Sequence, residues 1–176
     1  MKGILESADS IGLMAHGPAE ACSEELMLYG QFVGDWNFDC EYYREDGETE
    51  RAEGEWRFAW ALEGKAIVDL WTYPRRAERL SSGKGPGGLG VTVRTYDPEA
   101  SVWNIAWSDA DGRFLLLKGR RSGDEIVQEG RREDGRLVRW IFSGITPTSF
   151  EWREEIASSD ENTWRFSELM KCRRRN

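Results

Sequence analysis

Apolar and polar residues alternate with a period of two along most of this sequence, from about residue 36 to residue 171. Such an alternation is typical of β-strands that bury one face and expose the other to water. It divides into about ten runs, which short segments rich in glycine and aspartate separate without an intervening helical pattern. The runs span residues 36–43, 50–62, 65–73, 90–96, 101–108, 113–121, 124–132, 136–143, 149–157 and 163–171.

Glycine marks several of the turns between these runs. Glu63–Gly64, Ser122–Gly123 and Asp134–Gly135 are predicted to be two-residue hairpin turns, in which glycine supplies a positive φ. Residues 97–99 and 109–112 are predicted to form longer turns. Consecutive hairpins make a meander, and a long meander removes its exposed edge strands by closing into a barrel. The sequence therefore predicts an all-β fold, an antiparallel up-and-down barrel of about ten strands.

The first part of the chain differs from the rest. Residues 1–22 have no clear period and are interpreted as a flexible leader, and residues 23–176 are interpreted as one barrel domain. Ser23 can cap a short N-terminal helix, which we predict over residues 24–33 and which ends near Gly34. One barrel with a short helix before its first strand thus accounts for the chain after the leader.

The turns also define a register, and the register assigns each side chain to one face of the sheet. With Glu63–Gly64 as a turn, Trp56 lies opposite Trp71, and with residues 109–112 as a reversal, Trp103 lies opposite Lys118. In this register all nine tryptophans fall on one face, which we interpret as the barrel interior. They are Trp36, Trp56, Trp60, Trp71, Trp103, Trp107, Trp140, Trp152 and Trp164.

The predicted interior combines aromatic rings with ionisable side chains, a lining that suits a small hydrophobic or aromatic ligand. The alternative is that the rings fill the barrel and leave no space. We favour a cavity because a barrel of about ten strands is wider than the eight-stranded kind that side chains can fill. The predicted ligand-binding residues are Trp56, Trp60, Asp69, Trp71, Trp103, Trp107, Lys118, Glu129, Arg131, Trp140, Trp152, Glu154 and Glu168.

Glu154 and Glu168 stand out among the charged residues, because the register places them on adjacent strands and among aromatic rings. Their carboxyl groups should have a raised pKa unless a cation such as Lys118 or Arg131 pairs with them. They can orient a ligand, serve as the acid and base of an enzyme, or form a paired internal network. On the outer face the same register predicts a charge ladder of Arg139, Glu155 and Arg165.

Composition disfavours several classes of function. The net charge of −8 argues against nucleic-acid binding through phosphate neutralisation, and no run approaches the roughly 20 apolar residues of a membrane helix. The single histidine, His16, lies in the leader, and the three cysteines lack ligand spacing, so we predict no metal, haem or other cofactor. The odd cysteine count and the lack of a signal-peptide pattern indicate a cytoplasmic protein.

Three further segments allow alternative interpretations. Residues 83–88 match the letters of a glycine-rich nucleotide loop, but they precede a strand rather than a helix, which argues against phosphate binding. The segment 75–89 is either a lid over one barrel mouth or an ordinary long loop. Outward Leu115 and Leu117, with Ile141 nearby, form an apolar patch that either mediates a homodimer or is covered by the N-terminal helix or leader.

The motif Gly34–Asp35–Trp36, which opens the first strand, resembles the Gly-x-Trp signature of lipocalins and other calycins. The resemblance implies that Trp36 closes one end of the barrel beneath an arginine of the last strand, for which Arg173 is the candidate. Residues 93–98 and 142–152 resemble a prokaryotic calycin-like family of unknown function, so the resemblance implies a fold but no activity. Similar barrels of the nitrobindin type bind haem through a histidine, which the barrel part of this chain lacks.

The function that this interior favours is the non-catalytic binding of a small hydrophobic or aromatic molecule. One alternative is a cofactor-independent isomerase, cyclase or lyase that uses the inner carboxyl groups. Another is a structural or protein-interaction barrel. No nucleic-acid or membrane partner is predicted.

Overall fold

Ten antiparallel strands close into a barrel in the computed structural model, which describes residues 15–83, 85 and 87–175. Each strand pairs with the next one along the chain, and the first pairs with the last. The strands are β1 (Gly34–Tyr43), β2 (Thr49–Ala61), β3 (Ala66–Tyr73), β4 (Gly88–Asp97), β5 (Val102–Asp109), β6 (Phe114–Ser122), β7 (Glu125–Arg131), β8 (Leu137–Ser143), β9 (Ser149–Ala157) and β10 (Trp164–Arg174). The predicted all-β up-and-down barrel is therefore confirmed.

Two short helices accompany the barrel. Helix α1 (Ser23–Gly30) precedes β1 close to the predicted position, and helix α2 (Arg76–Ser82) lies between β3 and β4, where no helix was predicted. A single 3-10 turn, Leu62–Gly64, joins β2 to β3. Within the described parts of the chain, no helix has the length and apolar character needed to cross a membrane.

Part of the predicted leader packs on the barrel. The backbone N–H of Ala15 donates to the Trp60 carbonyl at 3.2 Å, and that of Ala19 donates to the Gly64 carbonyl at 3.1 Å. Residues 1–14 lie outside the described residues, so the flexible leader stays a prediction for that part of the chain.

The end of the barrel next to α1 is filled by aromatic side chains. Tyr29 from α1 and Phe32, just after it, are buried inside the barrel. The Tyr29 ring meets Trp103 edge-on at 4.8 Å between centroids, and Phe32 lies 4.8 Å from Phe150 and 4.9 Å from Phe142. Rings packed in this way stabilise a core beyond their buried area, so this half of the interior is solid.

Trp36 is buried beneath an arginine of the last strand, as the calycin resemblance implied. The arginine is Arg174, whose guanidinium carbon lies 4.1 Å from the indole centroid. Its terminal nitrogens donate to the carbonyl oxygens of Gln31 and Val33, each at 2.8 Å. Arg173, the candidate from the sequence, is wrong, because its side chain is 70% exposed on the outer face.

Gly34 is required at the start of β1 for two reasons. Its φ of 128° is a conformation that residues with a Cβ rarely adopt. A Cβ at this position would also lie 2.6 Å from Nη1 of Arg174. The glycine of the Gly-x-Trp motif therefore makes room for the arginine that covers Trp36.

Strands β6 and β7 turn the opposite face to the interior from the one predicted. The reversals at 110–112 and 133–135 each have three residues, with Gly112 at φ 85° and Gly135 at φ 86°. The prediction had assigned four residues to the first reversal and two to the second. Each error shifts the register by one residue, so the strands between the two turns are inverted while β8 and β9 are assigned correctly.

The inversion moves the predicted outward apolar patch. Leu115 and Leu117 are buried inside the barrel, and the outer face instead exposes Phe114 and Leu116, at 51% and 61%. Exposed apolar residues on β3 and β4 extend this surface: Leu70, Val91 and Val93. A homodimer stays a prediction, but the predicted patch is not an exposed surface, because Leu115, Leu117 and Ile141 are all buried.

Trp164 lies on the outer face, so the prediction that all nine tryptophans face inward is wrong for this residue. A bulge at Ser167 shifts the pairing of β10 with β9 between Phe166 and Glu168. Outside the barrel, the guanidinium carbon of Arg139 lies 3.8 Å from the Trp164 ring centroid. The bulge therefore places Trp164 outside while it leaves Glu168 inside.

The predicted outer charge ladder is confirmed in part. Arg139 donates to Glu155 at 2.7 Å, as expected. Arg165 does not join them, because the bulge turns it toward the backbone carbonyl of Tyr43, at 2.9 Å. Arg153 takes its place beside Glu155, at 3.0 Å.

Replacing Arg174 with alanine should lower the free energy of unfolding by about 2–4 kcal/mol, because it removes charge-assisted hydrogen bonds and the cation–π contact with Trp36. Arg173→Ala is the matched control, since the contact of that side chain among the described residues is an exposed ion pair with Asp39, worth about 0–1 kcal/mol. Urea unfolding followed by tryptophan fluorescence measures both variants. Equal losses would contradict the role assigned to Arg174.

Candidate functional site

The half of the barrel away from α1 contains a cavity of about 390 Å³. Residues of the β5–β6 and β7–β8 turns line it, so it opens at the end of the barrel where those turns lie. Its volume lies within the usual range for small-molecule sites. Five indole rings form much of the wall, those of Trp56, Trp71, Trp107, Trp140 and Trp152.

The cavity brings together most of the predicted binding residues. Side chains from β2, β3, β5, β8, β9 and β10 converge here because the closed register turns them all inward. The predicted residues on its wall are Trp56, Asp69, Trp71, Trp107, Trp140, Trp152, Glu154 and Glu168. That they contact a ligand stays a prediction.

Two other predicted residues face inward but lie in the filled half. Trp60 packs against Gly30 of α1 so closely that a Cβ on the glycine would collide with the indole. Trp103 packs against Tyr29. Both tryptophans therefore belong to the solid end of the barrel and not to the cavity.

Lys118, Glu129 and Arg131 lie on the outer face because β6 and β7 are inverted. Lys118 is exposed, and Glu129 pairs with Arg120 at 2.9 Å. Arg131 pairs with Glu161 at 3.0 Å. Their predicted position on the inner wall is wrong, and none of them is placed to balance an inner carboxyl group.

A buried ion pair separates the cavity from the filled half. Arg94 donates to Asp69, and both side chains are 1% exposed. Asp69 also accepts a hydrogen bond from Nε1 of Trp56 at 2.7 Å. On its other side, the guanidinium carbon of Arg94 lies 5.1 Å from the Tyr29 ring centroid and 5.7 Å from that of Phe58. The two charges neutralise each other inside the barrel.

Arg94 was not among the predicted site residues. On β4 the polar Thr92 and Arg94 face inward while Val91 and Val93 face outward, the reverse of the usual pattern. The connection before β4 is too long to define the register, so the sequence assigned no face to the side chains of this strand. The one available signal was Asp69, since a buried carboxylate requires a cationic partner.

Glu154 and Glu168 stand opposite each other on β9 and β10. Both oxygens of Glu154 have donors, Oε2 from Nε1 of Trp140 and Oε1 from Oγ of Ser167, each at 2.8 Å. Arg132, from the β7–β8 turn, lies 3.5 Å from Oε1. Since Ser167 is the bulged residue of β10, the irregularity that turns Trp164 outward also supplies this hydroxyl to the site.

Glu168 is paired much more weakly. It accepts a hydrogen bond from the thiol of Cys40 at 3.3 Å, and a thiol is a weak donor. No salt bridge reaches it within the described residues. Burial, and to a smaller extent the charge of Glu154, raises the pKa of Glu168 to about 8, as expected for an inner carboxyl without a cation. At neutral pH this group is therefore mostly protonated and can donate a hydrogen bond.

One indole of the wall has an unused donor. Nε1 of Trp152 has no hydrogen-bond partner within the described part of the chain, although the residue is only 5% exposed. Nε1 of Trp71, in contrast, donates to the sulfur of Met170 at 3.2 Å. A buried donor without a partner is costly, so a ligand that accepts a hydrogen bond from Trp152 would be favoured.

Helix α2 lies beside the mouth of the cavity and does not cover it. The backbone N–H of Arg76 donates to Glu55 at 2.9 Å, and Arg75 pairs with Glu53 at 3.0 Å, which ties the helix to the outside of β2. None of its seven residues, all of which are described, lines the cavity. The described residues of the helix do not cover the cavity, and whether the segment 75–89 serves as a lid or as an ordinary loop stays a prediction.

Potential metal ligands are scattered. Within the described residues, no group of three or more histidine, cysteine, aspartate or glutamate side chains is arranged to hold a metal ion. Cys22, Cys40 and Cys172 are unpaired thiols, and burial raises the pKa of Cys40 and of Cys172. The absence of a cofactor stays a prediction.

Two solved structures resemble this barrel. Rv2717c from M. tuberculosis has a TM-score of 0.61 at 11% identity, and the match covers 90% of this chain and 99% of that one. The S-type phycobiliprotein lyase CPES from Guillardia theta has a TM-score of 0.59 at 11% identity, with the same coverage. No protein-family model matches this chain, and no curated protein matches its sequence. At such low identity the likeness shows a calycin-like barrel fold and nothing about activity.

Glu168 should make the protein less stable as the pH rises. Its folded-state pKa of about 8 lies above the ordinary value of 4.5, so between these values the folded protein holds a proton that the unfolded chain has lost. The contribution of Glu168 to the free energy of unfolding is therefore fully present below pH 4.5 and is lost as the pH rises toward about 8, with a slope that approaches about 1.4 kcal/mol per pH unit. Urea unfolding from about pH 5 to about pH 9 measures this trend, which Glu168→Gln should remove.

Glu155→Gln is the control, because the pKa of Glu155 is shifted in the opposite direction to that of Glu168. Burial acts to raise the pKa of Glu155, but hydrogen bonds from Arg153 and Arg139 outweigh it and lower the pKa. A lowered pKa gives stability that is present above the unfolded value and lost in acid, so this substitution should leave the alkaline trend intact. A trend that persists in Glu168→Gln would show that another group causes it.

Proposed function

We propose that this protein binds a small, flat, aromatic molecule in the open half of the barrel, in the cytoplasm and without changing it chemically. The observation that carries the proposal is the cavity of about 390 Å³ with five indoles on its wall. Indole faces supply large apolar surfaces on which flat rings stack. The unpaired thiols fit a reducing compartment.

Two polar groups on the wall support binding over a purely structural role. Within the described residues, the Trp152 N–H has no partner, and the largely buried Glu168 carboxyl has no cation in a salt bridge. Each arrangement destabilises the empty protein, because polar groups lose hydration on burial and gain little in return. Since both residues line the same cavity, a single ligand can satisfy them and take a defined orientation.

A cofactor-independent isomerase, cyclase or lyase is the second candidate. Glu168, with its pKa raised to about 8, can give up a proton near neutral pH, and the carboxyl group of Glu154 stands opposite it. Two carboxyl groups in unlike surroundings are a common basis for acid–base catalysis. One of the two similar structures is, by its name, a lyase. A ligand that wild-type protein alters and Glu168→Gln leaves intact would favour this candidate.

Filling the cavity should prevent binding. Thr92 is buried on the cavity wall, and Val91, its neighbour on β4, is 40% exposed on the outer face. We expect Thr92→Phe to weaken binding at least about tenfold and the matched control Val91→Phe to change it less than about twofold. Native mass spectrometry of the purified protein detects a copurified ligand, and tryptophan fluorescence titrated with a panel of aromatic compounds measures the affinities.

Circular dichroism and urea unfolding establish that both variants keep the fold. Wild-type affinity in a folded Thr92→Phe variant would show that ligands bind elsewhere. If nothing copurifies and no compound of the panel binds the wild-type protein, the barrel is a structural or protein-interaction module instead.

A further inference from the structure

We infer that the ligand of this cavity carries a positive charge on its flat aromatic frame, and that Glu168 and the surrounding indole faces hold that charge. The inference rests on the proposed function and names the class of ligand for the same cavity. Neutral and anionic aromatic molecules fit the walls by shape but supply no positive charge to balance an ionised Glu168.

The charged groups on the cavity wall are mostly acidic, five against three basic ones. Two of the arginines are already neutralised. Arg94 is held by Asp69 inside the barrel, and Arg113 is held by Asp109 at the mouth, at 2.5 Å. Neither guanidinium is therefore available to balance a further carboxylate on this wall.

The third arginine serves only one of the two facing carboxyl groups. Arg132 lies 3.5 Å from Glu154 and is 37% exposed at the mouth. No described cation forms a salt bridge with Glu168, which lies opposite Glu154 on β10. A negative charge on Glu168 therefore has to be balanced from outside the protein.

The groups that face Glu168 from the neighbouring elements include no described cation within salt-bridge distance. Strand β1 contributes the Cys40 thiol and the Tyr42 hydroxyl, both of which act to lower the pKa of Glu168, and β9 contributes the carboxyl of Glu154. From the β5–β6 turn, the charge of Arg113 acts on it only weakly. A carboxylate can accept about four hydrogen bonds, and the one from Cys40 is weak.

Cation binding should be coupled to loss of a proton from Glu168. Without a ligand, burial and the charge of Glu154 keep the pKa of Glu168 at about 8, so the group is protonated at neutral pH. A cation close to the carboxyl favours the ionised form and lowers this pKa. The proton then passes to the solvent as the cation enters, and the pair that remains is neutral.

The indole faces give the second part of the site. Within the described residues, Trp107 is the one cavity indole with a protein cation over its ring, Arg113 at 5.9 Å. Outside the cavity, Trp36 already has Arg174 over it at 4.1 Å. The other cavity indoles have no such partner, so a flat cation can stack on them and add cation–π attraction to the apolar contact.

An anionic ligand would meet unfavourable surroundings. Arg94 is 1% exposed and its charge is already balanced by Asp69. Beyond it, the wall presents the carboxyl groups of Glu154 and Glu168, and an anion beside Glu168 would oppose its ionisation further. The ion pairs of the cavity therefore favour a cation over an anion.

Two probes of the same shape test the sign of the charge, 1-methylquinolinium, which is a permanent cation, and 1-methylnaphthalene, which is neutral. Isothermal titration calorimetry at neutral pH measures the affinity of each. We expect the wild-type protein to bind the cation at least about tenfold more tightly than the neutral probe. In buffers of different ionisation enthalpy, the cation should release up to about one proton on binding, and the neutral probe none.

Substitution of Glu168 shows whether this carboxyl holds the charge. Glu168→Gln should weaken binding of the cation by about tenfold and change the affinity of the neutral probe by less than about twofold. Glu155→Gln, on the outer face, should leave both affinities unchanged. If Glu168→Gln does not fold, the wild-type protein alone decides, because its affinity for the cation should rise about tenfold per pH unit up to about pH 8 and then level off.

The possible results separate the inference from the proposed function. An anion of similar shape, 1-naphthoate, is titrated as a third probe. If the neutral probe or 1-naphthoate binds as tightly as 1-methylquinolinium, or if cation binding neither depends on Glu168 nor releases a proton, the inference is wrong and the binding function stands. If none of the three probes binds and the wider panel also fails, the proposed function itself is overturned.

Discussion

A barrel closed by ten strands encloses more space than its wall side chains can fill, and the interior of this protein follows from that constraint. At one end, α1 adds Tyr29 and the adjoining chain adds Phe32, and these rings pack against the wall into a solid core. The other end receives no such insertion, and there the cavity remains. The same ten strands therefore hold a close-packed half, which fixes their geometry, and an open half, in which side chains are held at set positions around a space.

The ion pair of Asp69 and Arg94 lies where the two halves meet. A buried pair is weak evidence for stability, because desolvation offsets much of the attraction between the charges. Its position matters more here, since Arg94 contacts the Tyr29 ring of the filled half while Asp69 accepts a hydrogen bond from Trp56 of the cavity wall. The pair thus ties one wall indole to the core and forms a polar floor whose charges cancel.

Periodicity predicted the barrel, its strand order and most of the cavity wall, because period two and glycine turns are properties of the local sequence. Periodicity failed where one residue more or fewer in a turn decides whether the side chains of the next strand face inward or outward. Gly112 and Gly135 each end a three-residue reversal, and the two register errors cancelled after β7. The placement of the tryptophans on one face could not reveal that β6 and β7 are inverted, because these two strands contain no tryptophan. The bulge at Ser167 and the inward Arg94 were missed for a related reason, since pairing across the closed barrel determines both.

The contact between Arg174 and the start of β1 has a consequence for how the chain reaches its fold. Its partner carbonyl at Val33 lies 141 residues earlier, and β1 pairs with β10 along most of its length. Contacts of such wide sequence separation form slowly, because a long loop must close before they can stabilise anything. Until β10 is in place, β1 and β9 are open edges and Trp36 has no cover. Pairing of β10 with β1 and β9 is therefore the folding step that converts an open sheet, prone to association through its edges, into a barrel with no free edge.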